Sequence, residues 1–192
     1  NEKGIRQAFL TLHVGAGTFK PVKATTMAGH DMHAEWIDVT NTFIQQLVDQ
    51  YPKPVVAVGT TSLRTLESLY WMGVKIYLHP KIKIASLEIT QWEVYDELMK
   101  CEISKQVALE SLCCWMRTTQ TDRLILRTQI LIAPPYISKI ATGIITNFHQ
   151  PQSTLLLLIA ALVGDDWKKI YHYALENDFR FLSYGDCNLI SW

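Results

Sequence analysis

Nine consecutive apolar residues at 155–163 follow directly on a polar cluster in the stretch TNFHQPQSTLLLLIAALV. Such a run must be removed from water. A bilayer core requires about 20 residues of this kind, so the run is expected to form a helix, apolar all round and buried within a protein interior. Ser153 suits its N-cap and Gly164 its end. Capping explains Ser153, and a turn explains Pro151. Asn147, Phe148 and His149 are left over. They stand at the end of an apolar, strand-like run over 137–146, and α/β folds place their chemistry at such strand ends.

The same alternation of strand and helix recurs along the chain. Over 9–14, Leu10, Leu12 and Val14 fall on one face of a strand, with Phe9, Thr11 and His13 on the other. Phe43, Ile44, Leu47, Val48 and Tyr51 have helical spacing, with Thr40 or Asn41 as cap and Pro52 and Pro54 as terminators. Residues 55–58 form a short continuous apolar run, expected to be a strand buried on both faces of a parallel sheet. GTTS follows, then a helix with Leu63, Leu66, Leu69 and Tyr70 inward, then a further expected strand over 75–78. Residues 79–103 carry no clear pattern. Ser104 caps a helix with Val107, Ala108, Leu112, Trp115 and Met116 on one side. Apolar runs over 124–132 and 137–146 read as strands separated by the Pro134-Pro135 turn. Trp167, Ile170, Tyr171 and Ala174 mark a last amphipathic helix. This order argues an α/β fold.

The 192 residues suffice for one ordinary domain with a real core. Lysine plus arginine and aspartate plus glutamate cancel at 18 each, so no global basic field advertises nucleic acid. Lys81 with Lys83, and Lys168 with Lys169, are the nearest approach to a local patch. Cys101, Cys113, Cys114 and Cys187 lack CxxC spacing and no signal peptide is evident, which points to a reducing cytoplasm and buried or idle thiols. The opening, NEKGIRQAFLTLHV, enters a strand almost at once and reads as the later part of something longer.

Four polar clusters carry candidate chemistry. GTTS places Thr60, Thr61 and Ser62 where a helix begins, which serves either as a plain cap or as an anion site built from free backbone amides. Arg64 favours the anion, while Glu67 stands where it can pair with Arg64. In LHVGAGTF, Gly15 and Gly17 permit a tight turn or a close backbone approach, but GxGxxG spacing is absent and a dinucleotide site is unsupported. HDMHAE gathers His30, His33 and Glu35. These could hold a divalent metal, although the spacing is not HExxH, or supply a general base. SYGD brings Tyr184 and Asp186 either to an ordinary turn or to the same cleft as the others.

Taken together, LHVGAGTFKPV, the MHAE of HDMHAE, VGTTSLRTLES, TNFHQPQSTLLLL and FRFLSYGD closely resemble the S-adenosylmethionine:tRNA ribosyltransferase-isomerase family of queuosine biosynthesis. The five motifs keep their order and span almost the whole chain, though only about the C-terminal half of the family's usual length. The resemblance implies a larger α/β domain with an inserted small β-barrel. Residues 1–192 would form the later part of that α/β domain, with its N-terminal part and the barrel outside the chain. Residues 79–127 depart from the family's compact form, and Pro135 stands where glycine is expected.

The resemblance further implies a cytoplasmic enzyme, without membrane attachment and monomeric at full length. It would join the ribosyl group of S-adenosylmethionine to 7-aminomethyl-7-deazaguanine at the tRNA wobble position. Epoxyqueuosine forms, with adenine and methionine released. S-adenosylmethionine is then a co-substrate, and no cofactor is expected. His33, with Glu35, becomes the first candidate base, and His149 the second base or the acid that assists adenine departure. Asp186 would orient a histidine or hold ribose hydroxyls. Phe19, Phe148 and Tyr184 would offer aromatic faces to the sulfonium. His13, Gly15, Gly17, Thr18, Thr60, Thr61, Ser62, Arg64 and Asn147 would bind substrate, the methionine carboxylate or a tRNA phosphate among its groups. Two competing readings are a metal-dependent hydrolase built on His30, His33 and Glu35, and an inactive α/β fragment that lacks half of its site.

Overall fold

Glu35, Ile37 and Val39 alternate inward along β2 (Glu35–Thr40) while Trp36, Asp38 and Thr40 alternate outward, the period-2 signature of a sheet with one buried face. In the computed structural model, which describes residues 4–13, 15 and 32–192, β2 is the middle strand of an antiparallel sheet. It pairs with β1 (Thr11–His13) on one side and β4 (Arg123–Thr128) on the other. On the outer face Arg123 reaches across to Asp38 (Nη2 to Oδ2, 2.6 Å), and Arg127 forms a bidentate pair with Glu88 at 2.9 and 2.8 Å. A second sheet has the order β3-β5-β6: β3 (Val56–Val58) lies parallel to β5 (Gly143–Asn147), which pairs antiparallel with β6 (Cys187–Ser191). The fold is α/β, with its crossover in the β3–β5 unit.

Helix α2 (Thr60–Leu78) runs through the interior, with Leu63, Leu69, Trp71, Met72 and Val74 buried along it. It packs against α4 (Lys105–Thr118), whose cap is Ser104 Oγ accepting from Val107 N at 3.2 Å. The crossing needs Gly73. A Cβ there would fall 2.1 Å from the Ala108 carbonyl oxygen. Helix α1 (Asn41–Asp49) is capped by Thr40, whose hydroxyl accepts from Phe43 N at 3.2 Å. Short helical turns, among them α3 (Glu93–Asp96), occupy 79–103 and bury Leu87, Ile89, Val94 and Leu98. Helices α5 (Thr154–Val163) and α6 (Asp166–Glu176) precede β6.

The local structure departs from sequence expectation in five places. The run at 75–78 is the last turn of α2, not a strand. Val74 and Ile76 are buried there and Lys75 is tied to the Glu88 carbonyl and the Glu93 carboxylate, both at 2.8 Å. Strand β3 buries Ala57 alone, with Val56 and Val58 exposed, because among the described residues it is a sheet edge covered on one face. The runs at 124–132 and 137–146 shorten to β4 and β5. Residues 139–141 leave the sheet because their amides are bonded to Glu67. Helix α5 is buried on one side, at Leu158, Ile159 and Leu162, with Leu155 to Leu157 only partly covered. Strands β2 and β6 had no counterpart in the sequence reading.

Candidate functional site

Because Glu35 opens β2 with inward parity, its carboxylate is delivered into the interior beside the first turns of α2. There it forms an ion pair with Arg64 Nη1, whose side chain is buried as well. Burial lowers the pKa of Arg64 and the Glu35 charge opposes that shift. Arg64 Nε donates to the Ile130 carbonyl at 3.3 Å. The other Glu35 oxygen lies 3.4 Å from His33 Nε2, and the imidazole remains about one-third exposed. His33, Glu35 and Arg64 thus form a line from the surface to the core: an accessible ring, a carboxylate beside it, and a buried cation behind the carboxylate. Such a line holds the ring with one nitrogen toward the carboxylate and leaves the rest of the imidazole accessible, the placement a general base requires.

Residues near Met32 clamp this segment in place. Met32 N donates to Gln91 Oε1, and Gln129 Nε2 donates to the Met32 carbonyl, both at 2.9 Å. Met32 packs with Leu131 and Ala133, and Trp92 and Leu157 lie against them. Leu157 belongs to the first turn of α5, so the leucine helix reaches the His33 segment. A Cβ on Gly15 would lie 3.8 Å from the His33 ring. The Gly59 amide donates to the Ile145 carbonyl at 2.8 Å, which holds the GTTS corner to the end of β5. Gly59 caps α2 with φ 88°, a conformation suited to glycine, and no side chain caps that helix. The groove beside Leu47, Tyr51, Lys105 and Ile140 opens at the other end of β3 and is lined by no histidine or carboxylate.

Comparison with known proteins bears on what this edge is for. A model of the family described as "Queuosine biosynthesis protein" matches residues 1–190. The chain belongs to the queuosine biosynthesis protein family. Among curated family members, the S-adenosylmethionine:tRNA ribosyltransferase-isomerase of Legionella pneumophila (strain Lens) is 32% identical over 98% of the chain and 43% of its own length. The enzyme of the same name from Paraburkholderia phytofirmans is 32% identical over 100% of the chain and 44% of its own length. The chain therefore spans less than half the length of these relatives. A crystal structure of the S-adenosylmethionine tRNA ribosyltransferase of Thermotoga maritima superposes with a TM-score of 0.51 at 26% identity, covering 81% of this chain and 40% of that one.

Within this member of the queuosine biosynthesis family, the β5 end is more tightly built than the sequence suggested. His149 is buried, with Nε2 3.0 Å from Thr146 Oγ1 and its backbone amide donating to the Tyr171 hydroxyl at 3.0 Å. Desolvation lowers its pKa to about 4, so it is neutral at physiological pH. Asn147 Nδ2 donates to the carbonyls of Gly185 and Asp186 at 3.2 and 3.3 Å. Phe148 is buried in an aromatic cluster with Tyr171, Phe179 and Phe181. The Asp186 carboxylate accepts from the Arg180 amide at 2.8 Å and meets its guanidinium at 3.3 Å, which holds its pKa below the ordinary value. Tyr184 is exposed. His13 stands opposite Trp36 on the outer face of the first sheet.

Two pairings differ from expectation. Arg64 takes an internal carboxylate as its anion, and Glu67 does not pair with it. The Glu67 oxygens accept instead from Tyr136, Ser138 and the amides of Lys139, Ile140 and Ala141. Gln91, Gln129 and Tyr171, which position the candidate residues, gave no sequence signal, because their partners are main-chain groups far away in the chain. Gly17, Thr18, Phe19 and His30 lie outside the described residues. Among the described residues no group of three or more histidine, cysteine, aspartate and glutamate side chains could hold a metal, and no helix is long and apolar enough to cross a membrane.

Proposed function

We propose that the protein carrying this chain transfers and isomerises the ribosyl group of S-adenosylmethionine onto 7-aminomethyl-7-deazaguanine in the tRNA anticodon, with release of adenine and methionine. The names of the relatives support the substrate pair. The observation that carries the mechanism is the His33–Glu35–Arg64 line. A sulfonium acidifies the protons on the adjoining ribose 5′ carbon, and His33 is the exposed base that removes one. Glu35 keeps the ring oriented, while Arg64 balances the Glu35 charge inside the protein. His149, neutral through burial, contributes a hydrogen bond rather than a full positive charge. The uncapped first turn of α2, at Thr60, Thr61 and Ser62, suits the methionine carboxylate. Glu35 has a guanidinium against it, which disfavours a divalent cation at the same carboxylate and ranks the hydrolase reading lower. The experiment is to incubate the native protein with S-adenosylmethionine and tRNA bearing the aminomethyl base. Adenine release that depends on both supports the reading. Adenine release independent of RNA, or none, counts against it.

A further inference from the structure

The turn between α6 and β6 is braced beyond what a surface connection requires. Phe179 and Phe181 pack their rings 5.5 and 5.2 Å from that of Phe148. Leu182 N donates to the Phe148 carbonyl and Gly185 N to the Leu182 carbonyl, each at 2.9 Å, and Asp186 N donates to the Arg180 carbonyl at 2.8 Å. The Asp186 carboxylate and the Asn147 amide close the turn from either side. Leu182 has φ 67°, a left-handed conformation unfavourable for leucine. At Gly185 a Cβ would lie 2.3 Å from the Arg180 carbonyl oxygen. All of this bracing leaves Tyr184 97% exposed.

A tyrosine ring gains by burial, and a left-handed leucine is tolerated where surrounding contacts over-determine it, a situation that clusters at ligand clamps. The turn hangs from Asn147 and Phe148, two residues and one residue before His149, so Tyr184 belongs to a turn tied to the end of β5. Small co-substrates are enclosed by their sites. A ring held out in water is reached instead by a large partner with flat faces of its own.

We propose that Tyr184 stacks on a nucleobase of the RNA substrate, holding the RNA at the end of β5. The proposal rests on the RNA-modifying activity inferred above. Stacking of this kind tolerates any base and depends on the ring rather than on the hydroxyl.

The test compares Tyr184→Ala, Tyr184→Phe and the wild type in the native protein, by direct RNA binding and by turnover. Tyr184→Ala is expected to weaken RNA binding and raise the KM for RNA roughly tenfold or more, with the KM for S-adenosylmethionine and the thermal unfolding midpoint unchanged. Tyr184→Phe is expected to keep wild-type affinity. RNA affinity within about twofold of wild type in Tyr184→Ala, an effect on the S-adenosylmethionine KM instead, or a native protein that binds no RNA would each overturn the proposal. Binding without turnover in the wild type would remove the proposed activity and leave the stacking comparison decisive on its own.

Discussion

Arg64 and Glu35 form an ion pair inside the protein, with neither side chain appreciably accessible to water. Removing one member strands the other charge, which costs roughly 3–5 kcal/mol for a buried pair. Arg64→Met alone is expected to lose stability on that scale in urea denaturation. Arg64→Met combined with Glu35→Leu is expected to recover most of it, since replacing both charges with apolar groups is often near neutral. A double variant as unstable as the sum of the singles would show that the pair is not the relevant interaction.

Glu67 organises the approach to β5 by accepting from two hydroxyls and three backbone amides. Glu67→Gln turns an amide donor toward those donors and is expected to cost about 2 kcal/mol or more. Hydrogen exchange at Lys139, Ile140 and Ala141 locates the effect: their amides should lose protection before the rest of the sheet does. Unchanged protection at those three positions would rule out this role.

The His149 imidazole gives a pH dependence of definite sign. Its folded pKa, about 4, lies below the ordinary value of 6.5 because burial disfavours the charged ring. Between those values the unfolded chain binds the proton and the native protein does not. Native stability is therefore complete above pH 6.5 and falls as the pH drops toward 4, by on the order of 3 kcal/mol for this one group. Replacing His149 with Gln should flatten that part of the stability–pH curve. A curve of the same steepness in the variant would assign the effect elsewhere.

Gly73 sits where α2 crosses α4, with no room for a methyl group against the Ala108 backbone. Gly73→Ala raises helix propensity yet is expected to destabilise by about 3 kcal/mol, since backbone cannot yield as a side chain does. Denaturant midpoints compared with an exposed Ala substitution on α4 provide the check.

Much of this arrangement was legible in the sequence where a local rule governs. Thr40, Ser104 and Ser153 cap the helices expected of them, because capping involves residues three apart. The strand–turn–helix order places GTTS and TNFHQPQST each at the end of a strand, and the parallel β3–β5 pairing makes those strands neighbours. What was not legible depends on partners distant in the chain. Arg64 and Glu67 look like an i,i+3 pair, and the structure gives each a partner of its own, 29 residues away for Arg64 and 69 or more for Glu67. The run at 75–78 is too short for periodicity to separate strand from helix. Strand β2 is hidden because it opens on a buried carboxylate, Glu35, where an apolar residue would mark the inward face.

Turnover by His33→Ala, measured as adenine released from S-adenosylmethionine in the presence of substrate tRNA, decides whether the line from His33 to Arg64 is catalytic. A ring about one-third exposed at the surface end of that line contributes little to folding, so the unfolding midpoint should match wild type while the rate falls at least about a hundredfold. Wild-type rates from a well-folded His33→Ala protein would contradict the proposed role of the line as a whole.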